Sequence, residues 1–121
     1  MNIKTNIKNH SLSKNEEICG FVIQDGDNIK IYPVDNAAKD KKNTFIIPAK
    51  EYLYVEQNFK VLAIYHSHLE SDATPSEMDK KTCEAVHLPF IIYSKKTDDF
   101  SILFPDEYKD KQTIKLILHE N

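Results

Sequence analysis

Arginine is absent: all 16 basic residues of this 121-residue chain are lysines, against 19 acidic residues, for a formal net charge of -3. Phosphate-binding surfaces carry clustered positive charge, commonly with arginine forks. The densest basic stretch, Lys39, Lys41 and Lys42, is interrupted by Asp40 and preceded by Asp35. It reads as a solvated loop, and no nucleic-acid partner is expected. Long apolar runs are missing as well, and nothing approaches the roughly 20 residues of a membrane-spanning helix. Met1 to Ser11 is polar and lysine-bearing, without the apolar centre of a signal peptide. A cytoplasmic setting without a membrane partner follows as the expectation. Cysteine is scarce: Cys19 and Cys83 sit in apolar contexts and form no C-x-x-C pair, so they read as buried free thiols. H-E-x-x-H, P-loop and G-x-S-x-G motifs are absent, which leaves the corresponding proteases, nucleotide enzymes and hydrolases without support. There are no internal repeats and no low-complexity segments.

What is present is the pattern of a single globular domain spanning residues 1–121, with 1–14 a weakly structured or helical lead-in. Hydrophobic residues make up 40% and charged residues 29%, the balance of a folded soluble chain. Ile18 to Gln24 reads as a buried strand, Asp25-Gly26-Asp27-Asn28 as a turn, and Ile29 to Val34 as its hairpin partner. The polar stretch 35–43 is expected to be a mobile loop, 44–47 a short strand, and 49–58 a helix burying Tyr52 and Val55. Val61 to Tyr65 is β-prone and runs into His66-Ser67-His68. Thr74-Pro75-Ser76-Glu77 has the form of a capping box with Thr74 at the cap and Pro75 at the first helical position, opening a helix to about Val86. Phe90 to Ser94, Phe100 to Phe104 and Thr113 to Leu118 read as further strands. Strands and helices alternate without a βαβ rhythm. The expected class is therefore α+β, with a mixed, largely antiparallel sheet flanked by helices.

His66 and His68 lie two apart at a strand end, so their side chains share a face. Ser67 points the other way. Ser76 and Asp79 are three apart in the first turn of the predicted helix and share a face there. The intervening loop lets the helix start fold back over the strand end. Two imidazoles and a carboxylate then offer three ligands and leave one tetrahedral position open, the pattern of a catalytic zinc site. A base is also needed, and Glu16 or Glu17, just before the first strand, is placed to supply it. Ser76 is placed to donate a hydrogen bond to an oxyanion. A rival reading takes His68-Leu69-Glu70 as the H-x-E half of a nucleobase deaminase, but the P-C-x-x-C half is missing.

The uninterrupted string His66-x-His68, seven residues, Ser76-x-x-Asp79 resembles the JAMM (MPN+) signature, and Glu17-Ile18-Cys19-Gly20 resembles its E-x-C-G segment. The stretches from His66 to Asp79 and from Thr82 to Ser94 are similar to the N-terminal domain of phage tail assembly proteins of the tail-tip K type. The likeness covers about residues 15–105. It departs from the usual pattern at Leu69, where the family often has proline. The resemblance implies a JAMM/MPN fold of cytidine-deaminase-like architecture. It further implies Zn2+ on His66, His68 and Asp79, Glu17 as general base and acid, and Ser76 as oxyanion donor. The function it implies is hydrolysis of a peptide or isopeptide bond in a peptide or protein substrate. The implied partners are phage tail proteins or a cell-wall peptidase domain encoded nearby, and the location is the cytoplasm or a virion tail. Two alternatives stand beside it: a non-catalytic module of a tail or scaffold assembly, and an isopeptidase processing a ubiquitin-like or sulfur-carrier protein.

Overall fold

A computed structural model describes residues 2–119. Nine elements follow one another: α1 (Ile3–Leu12), β1 (Cys19–Asp25), β2 (Asn28–Val34), α2 (Ala49–Asn58), β3 (Lys60–His68), α3 (Glu77–Val86), β4 (Phe90–Ser94), β5 (Asp99–Leu103) and α4 (Lys111–His119). The strands form one five-stranded sheet in the order β2-β1-β3-β4-β5. The pairings β2-β1, β1-β3 and β4-β5 are antiparallel, while β3-β4 is parallel. The expected α+β class with a mixed, mostly antiparallel sheet is what the chain adopts. The single parallel pair has a structural consequence. Parallel neighbours cannot be joined by a tight hairpin, so the chain must cross back over the sheet, and α3 is that crossover. Its N-terminus consequently lies next to the end of β3.

Strand alternation splits the core in two. On one face Ile18, Val22, Tyr65, Ile91 and Tyr93 pack with Ile3 and Ile7 of α1 and with Ile114, Ile117 and Leu118 of α4. On the other, Cys19, Phe21, Ile23, Ile64, Phe90 and Ile92 pack with Val55 of α2 and Cys83 of α3. Both cysteines are buried free thiols, and burial pushes Cys19 up to about 12 and Cys83 up to about 11.

The fold corrects three of the sequence expectations. Residues 113–118 are not a strand but part of α4. Their β-branched and leucine-rich composition suggests β structure, but Ile114, Ile117 and Leu118 are the buried ones, and that spacing is helical. Residues 44–47 form no strand. The stretch 35–43 is a loop as expected, and the buried Asn36 within it clasps the chain. Its amide donates to the carbonyls of Glu17 and Thr44, and its oxygen accepts from the N–H groups of Ala38 and Ile46. The cap of α3 is Ser76, with Asp79 as the third helical residue completing the capping box. Thr74 instead donates its N–H to Asp72, and Glu77 pairs with Lys80 at the surface.

Gly20 of β1 is required by close packing. A Cβ there would lie 2.5 Å from the Tyr32 carbonyl oxygen and 2.6 Å from the Tyr65 ring. Tyr65 is fully buried, and its hydroxyl meets His10 Nδ1 at 2.7 Å, which ties α1 to the sheet. Gly20→Ala is expected to destabilise the fold by about 1–3 kcal/mol, the usual range for overpacking. Denaturant unfolding measures this, and an unchanged midpoint would contradict the packing described.

Candidate metal centre

His66 and His68 come from the last turns of the β3 pleat, both on the face that carries Ile64. His66 is fully buried and His68 is 6% exposed. Asp79 arrives from the first turn of α3 and is 5% exposed. The structure brings these three together: one ligand atom from each lies within 4.8 Å of the others. His66 Nε2 is 2.9 Å from Asp79 Oδ1, and His68 Nε2 is 3.0 Å from Asp79 Oδ2.

The protonation pattern at the cluster follows from its neighbours. His68 Nδ1 lies 2.7 Å from the Asp72 carbonyl oxygen. A carbonyl only accepts, so the proton of a neutral ring sits on Nδ1 and the Nε2 lone pair points inward. A backbone carbonyl fixing the tautomer in this way is the usual support of a metal-ligating histidine. The inward lone pair then faces Asp79 Oδ2, which already accepts the Ser76 N–H at 2.9 Å. Two acceptors at that range repel unless a cation or a proton lies between them. His66 is the sharper case. It stands 2.9 Å from Asp79 Oδ1, yet neither ring nitrogen makes a properly aligned hydrogen bond, although the ring has no solvent contact. Phe45 stacks on the ring at 4.3 Å between centroids and Phe90 meets it edge-on at 5.5 Å. These aromatic contacts fix the ring where a hydrogen bond to Nδ1 would ordinarily do so.

The three cluster residues shift one another's protonation. Burial lowers the His66 imidazole. His68 is raised, chiefly by its hydrogen bond with Asp79. Burial pushes Asp79 upward, but the contacts from His66 and His68 outweigh it and hold the carboxyl far below its ordinary value. Two imidazole nitrogens and a carboxylate oxygen converging in a buried cluster, with the Asp72 carbonyl drawing the His68 proton to Nδ1, fit a divalent metal ion.

Glu17 and Ser76 line the same cleft as His68 and Asp79. Glu17 is 7% exposed, and burial raises its carboxyl from 4.5 to about 7, with His68 pulling it down and Asp79 pushing it up. Three anchors hold it beside β3. Its N–H donates to the Lys41 carbonyl and its carbonyl accepts from Asn36. The Ser67 hydroxyl accepts the N–H of Ile18, while the Ser67 N–H donates to the Ile18 carbonyl. Ser67, which faces away from the cluster, therefore docks the Glu17 segment. Ser76 Oγ accepts the Asp79 N–H at 3.0 Å, which leaves its own O–H free to donate. Glu16, the other carboxylate considered as a base, is not among the residues that line the cleft. Sequence reasoning missed Asn36, Phe45 and the Asp72 carbonyl. Only Asn36 left a trace, as an asparagine able to hydrogen-bond backbone two residues on in a turn-forming stretch.

A model of the family described as prokaryotic homologs of the JAB domain matches residues 6–104. The chain belongs to that family. The tail tip assembly protein K of Escherichia phage N15 is 33% identical over 89 residues, covering 74% of this chain and 37% of that protein. The chain thus spans little more than a third of that relative's length. Protein DSY2949 from Desulfitobacterium hafniense superposes with a TM-score of 0.59 at 21% identity, over 84% of this chain and 80% of that one. AF2198, a JAB1/MPN domain protein from Archaeoglobus fulgidus, superposes at 0.55 and 18% identity, over 86% and 89%. The sequence resemblance to JAMM/MPN domains and to the tail-tip K type is thereby borne out, as is the fold it implied.

The raised Glu17 gives a pH test on the JAB domain in the presence of chelator. Its folded value of about 7 lies above the unfolded 4.5, so the folded chain keeps a proton that the unfolded chain releases. That contribution is full below the unfolded value and is lost as pH rises through the folded one. Glu17→Gln cannot ionise, so in chelator it is expected to exceed the wild type in stability at about pH 8 and to match it at about pH 4. Equal unfolding midpoints at the higher pH would contradict the buried placement of this carboxyl.

Proposed function

We propose that this JAB domain is a zinc-dependent peptidase that works in phage tail assembly, with His66, His68 and Asp79 as metal ligands, Glu17 as general base and acid, and Ser76 as oxyanion donor. The observation that carries the reading is the buried convergence of His66, His68 and Asp79, two of which line a cleft together with Glu17 and Ser76. When bound there, zinc would supply Lewis acidity, lowering the pKa of water and polarising a carbonyl.

The chain's own residues account for the rest of the hydrolysis. The Glu17 carboxylate, in the same cleft as His68 and Asp79, takes a proton from water and returns it. The oxygen of that water bonds to the scissile carbonyl carbon. The Ser76 O–H is free to donate to the oxygen on which charge develops. As the carbon–nitrogen bond breaks, Glu17 passes its proton to the departing amine, so that water has been added across the bond and the site is restored. His68, held by the Asp72 carbonyl, and His66, held by Phe45 and Phe90, keep the ligand geometry fixed during turnover.

The tail setting rests on the likeness to the tail tip assembly protein of phage N15. Tail proteins or a cell-wall peptidase are the partners we propose, and the cytoplasm of an infected cell or the virion tail is the proposed location. No helix among the described residues is long and apolar enough to cross a membrane. Residues 1–121 act as one domain in this reading.

A peptide-library cleavage assay with a chelator control tests the proposal. The wild type is expected to cleave, chelation to abolish cleavage, and Glu17→Gln to reduce it by roughly 100- to 10,000-fold, the usual contribution of a general base. Undiminished cleavage by Glu17→Gln would overturn its role, and no cleavage of any library member would favour a purely structural module.

A further inference from the structure

The cleft that holds the metal cluster continues well past it. It encloses about 690 Å3, within the range of ligand-binding clefts. Glu17, His68, Ser76 and Asp79 line it. Phe45, Ile47, Tyr52, Ile64, Val86 and Phe90 give it an apolar trough, accompanied by uncharged polar residues that include Thr82. Its charge distribution is uneven. The carboxylates that line it are Glu17, Asp72 and Asp79, no lysine lines it, and the trough itself carries no charged side chain. Asp72 adjoins the metal cluster, since its carbonyl holds His68. Ile46 and Met78 also line the cleft while remaining 53% and 65% exposed, so apolar surface extends from the trough out to solvent.

We propose that the substrate is a peptide carrying a bulky apolar side chain, such as leucine, methionine or phenylalanine, beside the scissile bond, and that this side chain fills the trough. The inference rests on the peptidase reading above and specifies its substrate class. A chain segment whose carbonyl reaches the cluster must lie along the trough, because the two share one cleft. A glycine at that position leaves the apolar walls wet and forfeits the burial that drives binding. An aspartate or lysine side chain in the trough finds no partner of opposite charge among the trough's own side chains, so its burial there is costly. The cleft therefore disfavours the glycine-terminated tail of a ubiquitin-like modifier.

The test separates binding from turnover. The Glu17→Gln protein, with zinc in the buffer, is titrated with capped octapeptides that differ at one central position: glycine, alanine, aspartate, lysine, leucine or phenylalanine. Binding is read by fluorescence anisotropy. Leucine and phenylalanine peptides are expected to bind at least about tenfold more tightly than glycine and aspartate peptides, the scale on which an apolar pocket discriminates. Val86→Trp and Thr82→Trp, two independent ways of filling the trough from α3, are each expected to erase that preference, with amide NMR spectra verifying the fold. Equal binding of glycine and leucine peptides, or a preference that survives both substitutions, would overturn the inference. Wild-type protein incubated with the tightest-binding peptide then reports on hydrolysis separately. Selective binding without cleavage sinks the peptidase reading alone, and cleavage without side-chain preference sinks this inference alone.

Discussion

The site depends on the position of a single carboxylate. Asp79 accepts the Ser76 N–H on one oxygen, faces His68 with that same oxygen, and faces His66 with the other. It is the third residue of α3 and part of the helix's capping box, so the interaction that starts the helix also fixes the ligand. The positive end of the helix dipole favours the charged form of the acid. An isolated charge buried to this degree is costly, and paired or metal-bound charges are the arrangements that persist. The cluster accounts for its own burial only if something positive is shared among its members.

The rest of the fold serves that convergence. The parallel β3-β4 pair requires a crossover, and the crossover places the start of α3 against the tip of β3. The antiparallel β1-β3 pair aligns Cys19 with His66, which leaves Glu17 just beyond the strand end and beside the cluster. Ser67 and Asn36 then fasten the Glu17 segment through hydrogen bonds to its backbone. Gly20 permits Tyr65 to lie flat against β1, and Phe45 closes over His66 from the loop that Asn36 shapes. The three cluster residues thus sit on a strand and a helix, and the loop that carries Phe45 covers His66.

Much of the site was legible in the sequence because its parts are local. His66, His68, Ser76 and Asp79 fall within a strand end, a short loop and a first helical turn, where side-chain direction follows directly from residue spacing. Position before the first strand pointed to Glu16 or Glu17, and only the resemblance of the segment to a family motif favoured Glu17, since no periodicity links residue 17 to residue 66. The errors have physical causes. Ile114, Ile117 and Leu118 carry strong β propensity, and tertiary packing against α1 and the sheet overrides it. Thr74-Pro75 has the form of a cap, yet the first helical hydrogen bond is accepted by Ser76, whose carbonyl takes the Lys80 N–H. Asn36 lies in a polar stretch with no apolar pattern, so nothing in sequence spacing shows that its amide will be buried and fully used. Phe45, in a segment that reads as a short strand, gains its role only from the distant ring it stacks upon.

Membership of the JAB family and the likeness to a phage tail tip assembly protein set the context, and the buried cluster makes the chemistry specific. Its central claim is that the imidazole pair and the helix-borne acid share one zinc ion. X-ray absorption at the zinc edge, on protein equilibrated with zinc and freed of excess, tests that most directly. The account predicts one zinc per chain, bound by two imidazole nitrogens and a carboxylate oxygen at about 2.0–2.2 Å. Folded protein that takes up no zinc, or zinc bound through the thiolates of Cys19 or Cys83, would contradict it.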